Sequence, residues 1–101
     1  MPEVFASKSP GYTWKYKDAS LFLPHGSEIR MRYKGRTYYA KVDGDQIMYE
    51  GKPITPATLA NTVAGSSRNA WRDLWVKRPA DAIWLLADQL RRDKTQVEEA
   101  L

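Results

Sequence analysis

Residues 66–75, SSRNAWRDLW, gather the side chains best suited to recognition. Trp71 and Trp75 stand four residues apart, Arg68 and Arg72 are interleaved with them, and Ser66, Ser67 and Asn69 add short hydrogen-bonding groups. An indole in a polar loop must pack, stack on a ligand, or do both. The arginines add fixed charge and planar donor forks, which suit an anionic partner. Trp75, flanked by Leu74 and Val76, is the expected core anchor. Trp71, between polar Asn69 and Arg72, is the expected exposed ring that meets the ligand. Burial of both rings is the competing arrangement.

No comparable set of residues suggests a reaction centre. The chain has no cysteine and a single histidine, His25, placed between Pro24 and Gly26 in a turn. No ligand spacing supports a metal, and no P-loop, GxGxxG or nucleophile elbow is present. Asp43 and Asp45 are neighbours because they flank the turn residue Gly44. The expectation is a non-enzymatic chain that needs no cofactor.

Charge points to the partner. The net charge is +4 over 101 residues, and its distribution is uneven. Between Ile29 and Val42 lie five bases (Arg30, Arg32, Lys34, Arg36, Lys41) and no acid, whereas residues 79–101 hold five acids against three bases. A basic body favours a polyanion. With 43% apolar and 12% aromatic residues, the chain has the composition of one globular domain. It has no apolar run of about 18 residues that could span a bilayer and no basic-then-apolar leader at its start. The expectation is a soluble cytoplasmic protein with no membrane partner.

The elements that position these residues follow from periodicity. Residues 1–19 mix Pro, Gly, Ser and Lys with aromatics and predict an irregular N-terminal arm. Lys17 to Leu23 could form a short helix or turn capped by Asp18. Ile29, Met31 and Tyr33 alternate with Arg30 and Arg32, Lys34-Gly35 is a turn signal, and Arg36 to Val42 alternates again. Asp43-Gly44-Asp45 then turns the chain into a third strand, Gln46 to Glu50. Thr55 and Pro56 open a short helix that Gly65 closes. Leu74 to Lys77 suits a short strand, and Pro79 and Asp81 open a C-terminal helix with Ile83, Leu86, Ala87 and Leu90 inward. Residues 93–101 form a helical or frayed tail. The fold class is therefore α+β: a three-stranded antiparallel β-meander, a short packed helix, a Trp-containing loop or short strand, and a C-terminal helix. A small barrel closed by Leu74 to Lys77 is the alternative. With Ile29, Met31, Tyr33, Tyr38, Ala40, Val42, Ile47 and Tyr49 inward, the opposite sheet face carries Arg30, Arg32, Tyr39, Lys41 and Met48. Such a face suits phosphates and exposed bases.

The ordered set Tyr33-Lys34-Gly35, Asp43-Gly44, Ile47 to Gly51, Thr55-Pro56-Ala57-Thr58-Leu59-Ala60 and Arg68-Asn69-Ala70-Trp71 through Trp75 resembles the RAMA domain, the restriction-enzyme and adenine-methylase-associated module. The similarity covers residues 20–92. Ala70 stands where that family usually has Gly, and Thr58 where it usually has Ser. The resemblance implies a non-catalytic module tied to DNA restriction and modification, a binder of DNA or modified DNA. The expected nucleic-acid contacts are Arg30, Arg32, Tyr39, Lys41, Arg68, Asn69, Trp71 and Arg72. The alternative is an adaptor that docks on a larger nucleic-acid enzyme through the tryptophan loop and the C-terminal helix.

Overall fold

The computed structural model describes residues 11–16 and 19–92. Two strands come first, β1 (Gly11–Tyr16) and β2 (Ala19–Pro24), which pair antiparallel as a hairpin. Then follow β3 (Glu28–Tyr33), β4 (Arg36–Asp43), β5 (Gln46–Tyr49) and β6 (Lys52–Ile54). Helix α1 (Pro56–Ala64), the one-turn α2 (Ala70–Asp73), β7 (Trp75–Lys77) and β8 (Leu85–Leu86) complete the order. Residues 87–92 are helical and are called α3. The main sheet is antiparallel with strand order β6-β5-β4-β3-β7-β8, and its ends do not pair with one another. The molecule is α+β, but the expected three-stranded meander is the middle of a six-stranded sheet.

Tight turns set the register. Lys34-Gly35 and Glu50-Gly51 each place both residues at positive φ (51° and 81°, 53° and 80°). Two consecutive left-handed residues match the right-handed twist of the strands they join, and Gly accepts the second position without strain. Gly51-Lys52 therefore does not close the meander but turns it back into β6, where Ile54 pairs with Ile47. Between β2 and β3, Gly26 N–H donates to Val42 O and Val42 N–H donates to Ser27 O. Ser27 is fully buried, and its hydroxyl donates to Pro24 O at 2.6 Å. These bonds fasten the N-terminal hairpin to β4.

Alternation assigns the faces. Ile29, Met31, Ala40, Val42, Ile47 and Val76 are buried on one side of the sheet. Tyr33, Tyr38 and Tyr49 are half-buried there, so the expected core holds with its rim partly open. α1 supplies Leu59 and Ala60 to the same core. Its ends follow the caps expected: Thr55 Oγ1 accepts from Thr58 N–H, Pro56 takes the first helical position, and Gly65 N–H donates to Asn61 O.

Four expectations need correction. The chain from Gly11 is not an irregular arm, and Ala19 to Leu23 is strand rather than helix, because Tyr12 and Trp14 alternate inward opposite Leu23 and Leu21. The proposed cap Asp18, like residues 1–10 and 93–101, lies outside the described residues. The C-terminal helix does not begin at Pro79. Asp81 spends its carboxylate on Arg78, Ile83 is 63% exposed, and Leu85-Leu86 pairs with β7 before the helix starts at Ala87. Finally, the two tryptophans exchange roles. Trp71 is 3% exposed and stacked on Trp14, with centroids 3.9 Å apart and planes 14° from parallel, whereas Trp75 is 37% exposed. Within α2, Ala70 and Trp71 point inward with the following Leu74. Val76 must face Ile29 in the core, so its neighbour Trp75 must face the other way.

Trp71→Ala should cost about 3–5 kcal/mol of folding stability, as expected for a large buried ring, measured by urea unfolding. A double-mutant cycle with Trp14→Ala should return a coupling of about 0.5–1.5 kcal/mol, the value of a stacked aromatic pair beyond its burial. A loss under about 1 kcal/mol for Trp71→Ala would contradict the packing described.

Candidate nucleic-acid interface

The expected contact residues separate onto two sides of the molecule. Arg30, Arg32, Tyr39 and Lys41 lie on the face of the sheet turned away from the core. Across the strands, Trp75 pairs with Arg30 and Arg30 with Tyr39, giving one row from β7 through β3 to β4. The next row is Lys77, Glu28, Lys41, Met48 and Pro53. Arg32, opposite Thr37, lies on the other side of the Trp75 row. Tyr39 is 59% exposed. Arg30 is half-buried because Trp84 covers it, with the guanidinium 4.5 Å from the ring centroid. Trp84 also meets Tyr39 at 6.3 Å and a 56° tilt. The Nε atom of Arg30 is buried and has no hydrogen-bond partner among the described residues, and the guanidinium lies against the Trp84 ring. Beside Tyr39 lies a depression of about 320 Å3, bounded by Glu28, Lys41 and Met48.

Arg68, Asn69, Trp71 and Arg72 belong to the opposite layer. Arg68 lies over the ring of Tyr33, at 5.5 Å, and Tyr33 shares the core-facing side of β3. Its guanidinium forms a two-pronged bond to Asp73, at 2.9 and 3.2 Å, and its backbone N–H donates to Asn61 Oδ1. The hydrogen bond and charge of Asp73 push the Arg68 pKa above its ordinary value. This arginine is engaged within its own loop. Asn69 caps α2, its Oδ1 accepting from Trp71 N–H at 3.1 Å. Trp71 is covered by Trp14 and by the guanidinium of Arg91, 4.7 Å from its centroid, so its ring presents no face to a ligand. Arg72 is exposed. The Ser/Asn stretch does line a cleft of about 480 Å3 together with Lys15, Trp14 and Trp71.

Trp75, Trp84 and Lys77 are the members of the sheet face that sequence reasoning missed. Alternation could have found Trp75, since Val76 is plainly a core residue. Nothing in the local pattern announces Trp84, which reaches the sheet from the loop after Arg78. That loop is held by a clasp in which Arg78 Nε and backbone N–H both donate to Asp81 Oδ2 at 2.8 Å. The hydrogen bond from the Arg78 side chain is the main reason that Asp81 titrates below the ordinary 3.8, with its backbone bond and the charges of Arg78 and Lys77 adding to the effect. Elsewhere, burial raises the pKa of Tyr12 and of Tyr49. His25 serves a turn, its Nδ1 accepting from Gly44 N–H at 2.8 Å. Among the described residues, no three His, Cys, Asp or Glu side chains converge as a metal site would require, and no helix is long and apolar enough to cross a membrane.

Comparison with protein-family models, curated proteins and solved structures finds no match to this chain.

Protonation of Asp81 would break the clasp, and the position of Trp84 is expected to respond to pH. A carboxylate whose folded pKa is lowered stabilises the fold fully above its unfolded value and loses that contribution as pH falls through the folded value. Acidification through the lowered pKa of Asp81, below the ordinary 3.8, should therefore release the loop at a cost of about 1 kcal/mol or less. Asp81→Asn should release it at neutral pH. The Trp84 indole N–H resonance should shift on acidification in the parent protein and be already shifted in the variant. An indole signal that ignores both changes would contradict the role given to this pair.

Proposed function

We propose that the chain is a non-catalytic DNA-binding accessory module, acting in the cytoplasm, whose contact surface is the outer face of the six-stranded sheet. The observation that carries this reading is the Trp75–Arg30–Tyr39 row with Arg32 and Lys41 on either side of it. Four bases stand on that face, Arg30, Arg32, Lys41 and Lys77, against the carboxylates of Glu28 and, at the end of β4, Asp43. Long cations above a flat apolar-aromatic surface reach phosphates while their stems stay packed. A role beside DNA modification and restriction is what a resemblance to restriction-enzyme and adenine-methylase-associated modules would imply. Of the contacts expected in the tryptophan loop, Arg68 is paired with Asp73 and Trp71 is buried, so the reading now rests on the sheet.

Three or four phosphate contacts predict a log–log salt dependence with a slope of about −3 to −4 on duplex DNA. Lys41→Glu should weaken binding on the order of tenfold and flatten the slope by about one to two. Arg72→Glu, in the opposite layer, should leave both nearly unchanged. Fluorescence anisotropy at several salt concentrations measures all three proteins. Equal losses in the two variants, or binding indifferent to salt, would contradict the assignment of this face.

A further inference from the structure

We infer that the sheet face takes nucleic acid through unpaired bases, so that its preferred form is single-stranded. The inference rests on the nucleic-acid reading above and specifies which form of ligand the aromatic side chains can use. Phosphate contacts alone do not need Tyr39 or Trp75. Both rings are nevertheless open to solvent on the basic face, Tyr39 at 59% and Trp75 at 37%. Inside a duplex the faces of the bases are already covered by their neighbours, and an aromatic ring on a broad sheet can meet only groove edges and backbone. An unpaired base has a free face, and stacking it on an aromatic side chain is favourable whatever the base.

The geometry accommodates such a strand. Trp75 and Tyr39 are separated by β3, two strand spacings or roughly 10 Å, so the two rings address different bases. Arg30 lies between them in register. Trp84 packs on Arg30 and against Tyr39, which orders the centre of the platform before any ligand arrives. The depression beside Tyr39 is bounded by Lys41 and Met48, leaving room for a base on the ring and an ammonium group at the rim for its phosphate. The charge of the face matches a polyanion.

The test compares four probes by fluorescence anisotropy at one salt concentration: an oligothymidylate of about ten nucleotides, a size typical of small single-strand sites, an oligouridylate of equal length, a blunt duplex, and the same duplex with adenine methylated. The parent protein is expected to bind the single strands on the order of tenfold tighter than either duplex. Tyr39→Ala should weaken single-strand binding about 5- to 150-fold, the equivalent of one lost stack, and weaken duplex binding much less. Tyr39→Phe should retain the preference, and circular dichroism should find both variants folded, since the ring is exposed. Equal or tighter duplex binding, insensitive to Tyr39→Ala, would overturn this inference while leaving a DNA-binding role standing. A strong preference for the oligouridylate would support unpaired-base recognition and overturn the DNA assignment. No measurable binding to any probe would overturn both.

Discussion

The Trp14–Trp71 stack is the contact on which the arrangement of the other pieces depends. It joins β1 to α2, segments more than fifty residues apart in the chain, at a centroid distance of 3.9 Å. Arg91 lies over the second indole and forms an ion pair with Asp88, which brings α3 to the same point. Leu74 O accepts from Ala87 N–H at 3.0 Å and fixes where that helix begins. Stacked rings of this size bury much apolar surface and also prescribe an angle, which aliphatic packing does not. By taking Trp71 into the core, the stack determines that the next turn of chain leaves as β7 with Val76 inward and Trp75 outward. The outer row of the sheet is thus a consequence of what is packed beneath it.

That dependence separates two functions that lie next to each other in the sequence. The Ser/Asn/Arg loop looks like a recognition loop because its residues are those that bind ligands. In the folded protein most of them serve the loop itself. Asn69 caps α2, Arg68 is clamped to Asp73 and bound through its backbone to Asn61, and Trp71 is packed. Polar side chains that complete a turn have little left to offer a partner. The exposed aromatic and basic groups instead lie across β3, β4 and β7, in rows produced by pairing between strands. Trp84 joins them from the loop that carries the Arg78–Asp81 clasp.

Where local rules operate, the sequence was readable. The alternation of β3 and β4, the turns at Lys34-Gly35 and Gly44, and both caps of α1 appear as their residues suggest, because each depends on a handful of adjacent side chains. The strand β7 was also legible from Leu74 to Lys77. Less visible were elements decided by distant contacts. Gly11 to Tyr16 carries Tyr12, Trp14 and Tyr16 at period two, but Gly, Thr and Lys between them resemble a loop until Leu21 and Leu23 are seen opposite. The sequence around Pro79 and Asp81 has good helix-start chemistry. There the Arg78 guanidinium and backbone competed for the carboxylate, and the short pairing of β7 with β8 postponed the helix to Ala87. For the two tryptophans, neighbouring polarity was a poor guide: in a strand the apolar neighbours of a residue point to the opposite face, so Leu74 and Val76 argue for an exposed Trp75.

The central claim is that the outer sheet face, not the tryptophan loop, meets nucleic acid. Amide and indole chemical-shift mapping during titration with an oligonucleotide tests it most directly, because both surfaces report in one spectrum. The account predicts shifts confined to Arg30, Arg32, Tyr39, Lys41 and the indoles of Trp75 and Trp84, with Ser67 to Ala70 and the Trp71 indole unmoved. Shifts concentrated on Ser67 to Ala70 and Lys15, around the cleft that the stacked tryptophans help to line, with the sheet face silent, would contradict it.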